Sequence, residues 1–294
     1  MLLSKVQYKN YETGEFTDIR ERSVSEIINL VNNYPWLQQC HLVAVSLTAP
    51  SVSIERGDNA ILKISHYYHD KFSIYLLNSD GKSLKTHVEH LEDCTAVITQ
   101  FCENTLDETT FETNHVYHAE RHFITAQFIY RVKTGSFTAS LALFSILPVA
   151  ATFLTALVLS AGFQEGKKPA MIFAMVLSAV TSSALAFMVI KGWMIYFNHL
   201  NYAKDQFLEL SKGKDEFTFG TNNVNKTYNK QDIDHINIYR TKSSKQIWSR
   251  LNITEIVFKN GEQIKISGLI IEYAYSKIPD AHCLFIDKLF TNIN

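Results

Sequence analysis

The sequence predicts an α+β N-terminal domain and a mainly-β C-terminal domain joined by a two-helix transmembrane hairpin. Residues 137–163 and 170–190 carry no charged side chain, and each run exceeds the roughly 20 residues that a helix needs to cross a bilayer. Short apolar or alternating runs with turn signals lie on both sides of the pair, as expected for small sheets. The predicted segments are 1–104 (α+β domain), 105–136 (juxtamembrane amphipathic segment), 137–190 (hairpin), 191–214 (stalk) and 215–294 (β domain).

The charge balance and the cysteines limit the classes of partner and cofactor. Lysine and arginine (28) nearly balance aspartate and glutamate (29), for a formal charge of −1, so no global field attracts nucleic acid. The four cysteines have neither CxxC nor zinc-like spacing, which indicates reduced cytosolic thiols. No glycine-rich phosphate loop, GxSxG or HExxH motif occurs, and we therefore predict neither a cofactor nor an enzymatic activity.

The N-terminal domain begins with a predicted helix over 24–33, because Ser23 and Glu26 have the spacing of a capping box. The predicted strands are 42–47, 51–55, 60–65, 72–77 and 83–88. Their connections are too short for crossover helices, and Asp80-Gly81 is a hairpin signal, so the sheet should be antiparallel. An apolar stripe predicts a closing helix over 92–103. No secretory signal precedes this domain, which is therefore expected in the cytosol.

Three histidines in the juxtamembrane segment, His115, His118 and His122, form the only ligand-like cluster in the sequence. Their spacing of i, i+3 and i+7 would place them on one face of a helix, where they could hold a metal ion. The preferred interpretation is an amphipathic helix at the lipid interface, since the same segment is rich in aromatic residues and leads into the hairpin.

The hairpin is predicted to place both chain termini in the cytosol. Basic residues near helix ends favour the cytosolic side, and five lie next to the outer ends of the helices against two in the short turn. The five are Arg121, Arg131, Lys133, Lys191 and Lys204, and the two are Lys167 and Lys168. Trp193 and Tyr196 are predicted to anchor the second helix at the membrane interface. The polar residues of the two runs are chiefly hydroxyls, which disfavours a transporter.

The C-terminal domain shows a series of strand-like runs that ends in a predicted helix over 284–290. The predicted strands are 216–219, 225–228, 233–239, 251–258 and 263–266, and Asn260-Gly261 is the hairpin signal between the last two. The stretch from Tyr228 to Ile233, Tyr-Asn-Lys-Gln-Asp-Ile, and the stretch from Phe258 to Ile266 resemble the bacterial pleckstrin-homology-like membrane proteins. The resemblance implies a binding or scaffolding module. It also implies an early strand that is either missing or located in the stalk.

Four cations, Arg240, Lys242, Lys245 and Arg250, surround a predicted hairpin loop that also carries Trp248. Near a membrane, each would contribute on the order of 1 kcal/mol to the binding of anionic headgroups. The simpler interpretation is a solvated loop.

The leading hypothesis is a nonenzymatic protein of the bacterial inner membrane whose cytosolic domains bind a protein or the lipid surface, with a homo-oligomer as a further possibility. One alternative is an immunity protein against a membrane-acting toxin, because residues 51–55 and 71–76 show a faint resemblance to small α+β immunity domains. Another is a metal-dependent membrane enzyme that uses the three histidines. A channel formed by oligomerisation is a third, although two helices without polar faces make a poor pore.

Overall fold

A computed structural model describes residues 1–40, 46–161, 168–242 and 248–293. The chain divides into two compact units, which we call unit 1 and unit 2. Unit 1 comprises Met1–Phe128 and Ser211–Lys214, and unit 2 comprises Ile129–Leu210 and Asp215–Asn294.

Unit 1 is a seven-stranded antiparallel sheet with helices on one face. Its elements are β1 (Leu2–Gln7), β2 (Thr17–Arg22), α1 (Val24–Asn33), α2 (Trp36–Cys40), β3 (Ser51–Glu55), β4 (Ile61–His66), β5 (Phe72–Leu77), β6 (Ser83–Val88), α3 (Leu91–Cys102) and β7 (Glu112–Thr113). The strand order is β2-β1-β3-β4-β5-β6-β7. The buried side chains of α1 and α3 pack with those of β3, β4 and β5 to form the core of this unit.

The helices and inner strands of unit 1 agree with the sequence prediction. The backbone N–H of Ser23 donates to Glu26 Oε2 at 2.7 Å, and the backbone N–H of Glu26 donates to Ser23 Oγ at 3.4 Å, which confirms the capping box at the start of α1. Strands β3 to β6 and helix α3 are confirmed, as is the antiparallel pairing. The predicted strand over 42–47 falls largely on residues outside the described ranges.

Strands β1 and β2 are not anticipated by the sequence analysis. In β2, Thr17–Arg22, four of the six residues are exposed, because it is an edge strand that has no apolar alternation to reveal it. Strand β1 lies inside the sheet between β2 and β3, and two of its buried residues are Lys5 and Gln7, which disguise it as a polar segment.

The predicted amphipathic helix over 105–136 is not present. The described chain between α3 and Gly135 contains only short 3₁₀ turns and strands, among them the turn Ala119–His122. His118 precedes that turn with φ 54°, a left-handed conformation that cannot lie within an α-helix. The histidine face predicted from a helical repeat therefore does not form.

Unit 2 combines an apolar helical hairpin with two four-stranded sheets. Its elements are β8 (Ile129–Arg131), α4 (Gly135–Ala161), α5 (Lys168–Ala203), β9 (Gln206–Glu209), β10 (Glu216–Thr221), β11 (Asn225–Asn229), β12 (Ile233–Thr241), β13 (Ile253–Phe258), β14 (Gln263–Ser267) and β15 (His282–Lys288). The sheet orders are β11-β10-β9-β8 and β14-β13-β12-β15.

The two helices of unit 2 are long and apolar enough to cross a membrane, over Phe137–Leu157 and Ile172–Ala203 by length and composition. The hydroxyls of Thr155 and Ser178 form a hydrogen bond between them. Helix α4 matches the predicted run closely, whereas α5 continues well beyond residue 190. Residues 164–167 of the predicted turn lie outside the described ranges.

The hairpin is inserted between two neighbouring strands of one sheet. Strand β8 precedes α4 and pairs antiparallel with β9, which follows α5. The predicted stalk over 191–214 thus consists of the end of α5 followed by β9, in which Leu208 is fully buried. Two strands therefore precede β10 in this sheet, β9 in the stalk and β8 before the hairpin.

The predicted closing helix over 284–290 is wrong. Residues His282–Lys288 form β15, which pairs parallel with β12 from His235–His282 to Thr241–Lys288. The short apolar run from Cys283 to Ile286 suits a helix or a strand equally well from its periodicity. The exposed edge of β12 decides the outcome, because it offers seven residues of backbone pairing.

Candidate anion-binding cleft beside the hairpin

The ends of the two helices nearest the sheets form a small apolar core with loops of unit 2, which we call the hairpin base. Phe137 and Leu141 of α4 and Ile195 and Tyr196 of α5 are buried there against loop residues. The loop residues are Trp248, Leu251 and Leu269. The loop that follows β12 is therefore packed directly on the helical hairpin.

Gly192 allows this close packing. A Cβ atom at this position would lie 2.9 Å from Leu141 Cδ2 and 3.8 Å from Trp248 Cε3. The absence of a side chain thus lets α4, α5 and the indole of Trp248 meet at one point. Lys191, the preceding residue, holds its ammonium 5.8 Å from the centre of the Phe290 ring.

The C-terminal segment 289–293 ties α5 to the same loop. The Asn198 side chain bonds both the carbonyl and the N–H of Ile293, at 3.1 and 2.7 Å. His199 is fully buried between Thr291 O, at 2.6 Å from Nε2, and Ser267 Oγ, at 2.8 Å from Nδ1. Since a carbonyl only accepts, Nε2 carries the proton and Nδ1 accepts from the serine hydroxyl. Trp248 Nε1 donates to Leu289 O at 3.2 Å.

A cleft of about 590 Å³ opens beside this packed loop. Its charged lining residues are Arg240, Lys242, Arg250 and Glu272, and its aromatic lining residues include Tyr273 and Phe285. Arg250 lies between Trp248 and Leu251, which are both buried in or beside the hairpin base. The cleft is therefore adjacent to the hairpin base.

The three cations of the cleft differ in their partners. Arg240 stacks on Phe285, with 4.6 Å from the guanidinium carbon to the ring centre, and its Nε lies 3.2 Å from Asp287 Oδ1. Lys242 and Arg250 form no ion pair with any residue in the described part of the chain. A hydrogen bond to Glu272 raises the pKa of Tyr273, so this hydroxyl stays protonated beside the carboxylate. With three cations and Glu272, the lining carries a net charge of +2.

The cleft brings together most of the predicted basic residues. Arg240, Lys242 and Arg250 line it, and Lys245 lies outside the described residues. Tyr196 does not contact a lipid interface as predicted, since it is buried and stacked on Phe137 with ring centres 5.5 Å apart. Trp193 is half-buried and donates from Nε1 to Ser145 Oγ at 3.1 Å.

The three juxtamembrane histidines are not arranged as a metal site. His122 Nδ1 lies 2.8 Å from Thr48 Oγ1, and His118 Nδ1 lies 3.3 Å from Glu120 Oε1. His115 is on an exposed, irregular stretch. Burial, reinforced by the nearby Lys63, lowers the pKa of His122. No group of three or more potential ligands is found among the described residues.

Several residues of this region escape sequence reasoning. Glu272, Tyr273 and Phe285 come from segments after β14 and from β15, far along the chain from the basic loop. Asn198 and His199 look like ordinary polar residues at the end of a helix. Only the polar Asn-His pair within an otherwise apolar helix could have indicated a buried contact.

The two sheets and the inserted hairpin define a β-sheet domain that carries its own pair of apolar helices. A family model described as a PH domain matches residues 129–277, from the first residue of β8 through the hairpin to the last turn before β15. Because this match covers just over half of the 294 residues, the chain belongs to the PH domain family. No curated protein and no solved structure matches the chain.

Proposed function

We propose that this protein is a nonenzymatic membrane-anchored binding module of a bacterial inner membrane, whose PH domain and N-terminal unit both lie in the cytosol. The hairpin crosses the bilayer and returns. The PH domain is assembled from strands that precede and follow the hairpin in the sequence. The pairing of β8 with β9 across the hairpin carries this proposal, since it requires both helix ends to meet on one side.

The ligand of the module is the anionic lipid surface, bound at the cleft of Arg240, Lys242 and Arg250. Two of these cations lack a carboxylate partner among the described residues, and Trp248 holds the cleft against the hairpin base. A phosphate-bearing headgroup at this depth would gain charge-assisted hydrogen bonds. Each cation near an anionic surface contributes on the order of 1 kcal/mol.

The test uses full-length protein in a detergent micelle, titrated with a short-chain phosphatidic acid and with short-chain phosphatidylcholine. We expect the anionic lipid to bind more tightly, and the double variant Lys242→Ala/Arg250→Ala to weaken it by about tenfold or more. Lys259→Ala is the matched control, since Lys259 lies in the same unit and donates to Gln231 O away from the cleft. Equal affinity for both lipids, or an equal loss in the control, would contradict lipid binding at the cleft.

A further inference from the structure

A second basic site lies in unit 1, on the sheet face opposite α1 and α3. Lys5 in β1, Ser53 in β3 and Lys63 in β4 are direct cross-strand partners, so their side chains form a row on one face. The three residues are 2%, 0% and 0% exposed. Two lysines in one buried row are unusual, since lysine is almost never fully buried without a partner.

The charges in this row are only partly compensated. Lys5 Nζ lies 3.4 Å from Glu55 Oε2. The Glu55 side chain is 32% exposed, so water weakens this ion pair. Lys63 Nζ donates to two neutral acceptors, Gln7 Oε1 at 2.7 Å and His122 O at 3.0 Å. Within the described part of the chain, no carboxylate forms an ion pair with Lys63.

Two further features converge on the same point. The Ser53 hydroxyl, between the two lysines in the row, is buried without a hydrogen-bond partner among the described residues. The ring of Phe16 covers both ammonium groups, with its centre 4.7 Å from Lys5 Nζ and 5.4 Å from Lys63 Nζ. A ring face attracts cations weakly and does not neutralise them.

We propose that Lys5, Ser53 and Lys63 bind a small oxyanion of the phosphate or carboxylate class, with Phe16 as the side chain that moves to admit it. The two ammonium groups and the serine hydroxyl are all donors, and an oxyanion offers several lone pairs to accept from them. Its charge would balance the ammonium of Lys63, and its oxygens would satisfy the Ser53 hydroxyl.

Burial, together with the charge of Lys5, lowers the pKa of Lys63 to about 7. At pH 6 the amine is therefore protonated, and a bound anion gains most from it. The site thus favours anion binding on the acidic side of neutrality, and a bound anion in turn raises the pKa of the lysine.

The experiment measures thermal unfolding of the full-length protein in detergent at pH 6, in a Lys242→Ala/Arg250→Ala background that removes both unpaired cations of the cleft, the second candidate anion site. Sodium phosphate or sodium acetate replaces sodium chloride in steps at constant ionic strength. Separate titrations with the two salts distinguish the two oxyanions. We expect a saturable rise in melting temperature with at least one of them. Lys63→Met should abolish the rise, and Ser53→Ala should weaken the apparent affinity by about threefold or more.

Lys85→Met is the matched control, because Lys85 continues the same cross-strand row next to Tyr75 but is only partly buried and faces Glu112. It should keep the anion response. A response that is absent for both anions, or that persists in Lys63→Met, overturns the proposal. If Lys63→Met does not fold, broadening of the phosphate signal in phosphorus NMR is compared between Ser53→Ala and the unmodified background, and equal broadening overturns it.

Discussion

Tyr130 pairs with Leu208 in the sheet formed by β8 and β9, although the whole helical hairpin separates them along the chain. A strand of three residues, Ile129–Arg131, is thus completed by a strand that begins only after α5 ends. The backbone hydrogen bonds of β8 are satisfied only when the chain has returned from the hairpin. The PH domain and the helices must therefore fold as one unit.

The first prediction concerns Gly192. Gly192→Leu should destabilise unit 2 by about 1–3 kcal/mol, because the new side chain would overlap Leu141 and crowd Trp248. Urea unfolding in detergent, followed by tryptophan fluorescence in a Trp36→Phe background, measures the change, because the remaining Trp193 and Trp248 both lie in unit 2. Gly135→Leu is the control, since a Cβ there meets no atom within 4 Å. Equal destabilisation by both changes would show that the crowded hairpin base is not the cause.

The second prediction concerns the buried Lys63. Its ordinary pKa of 10.5 falls to about 7 in the folded chain, so the unfolded chain binds more protons between these pH values. Stability should then rise as the pH increases from 7 to 10.5, and the cost of burial is fully present below pH 7.

In chloride buffer, Lys63→Met should therefore stabilise unit 1 at pH 6 by about 2–5 kcal/mol. The gain should shrink as the pH approaches 10. Hydrogen exchange of the β4 amides at several pH values measures it. A stability difference that does not depend on pH would contradict the assignment of the titration to Lys63.

The third prediction concerns the C-terminal segment. His199→Ala removes two buried hydrogen bonds, to Thr291 O and Ser267 Oγ, and should cost about 2–4 kcal/mol. Hydrogen exchange of residues 289–293 should accelerate, while exchange in β4 of unit 1 should not change. Asn198→Ala should act in the same direction, because Asn198 bonds both backbone groups of Ile293. Unchanged exchange at 289–293 in both variants would show that these side chains do not hold the segment.

The fourth prediction concerns topology. If both termini are cytosolic, green fluorescent protein fused to either end should fluoresce in bacterial cells, and alkaline phosphatase fused to either end should be inactive. The reasons are the basic residues beside the outer ends of the two helices and the pairing of β8 with β9. An active phosphatase at one end would contradict the cytosolic placement of both units.

Local signals in the sequence predict the elements that local physics determines. The capping box of Ser23, the uncharged runs of the hairpin and the Asn260-Gly261 turn each depend on neighbouring residues, and the structure contains all three elements. The pairing of β8 with β9 joins residues that are more than 70 positions apart in the sequence. The parallel pairing of β15 with β12 joins residues that are about 47 positions apart. No periodicity within a short run can indicate such partners.

The candidate sites likewise depend on residues that are distant in the sequence. The basic residues around Trp248 are recognisable as a cluster, yet Glu272 and Phe285 reach the cleft only through the fold. The histidine cluster fails because its argument assumes a helix, and His118 adopts a left-handed conformation instead. Lys5 and Lys63 look like ordinary surface cations, and only the register of β1, β3 and β4 aligns them.

The most direct test of the central claim is a disulfide cross-link between β8 and β9 in isolated membranes. Tyr130→Cys and Leu208→Cys are combined in a chain whose four native cysteines are replaced, and the mobility of the oxidised protein is compared with that of the reduced protein. The split PH domain predicts an intramolecular cross-link in the pair and none in either single variant. Failure of the pair to cross-link, in protein that is folded and membrane-embedded, would contradict a PH domain completed across the hairpin.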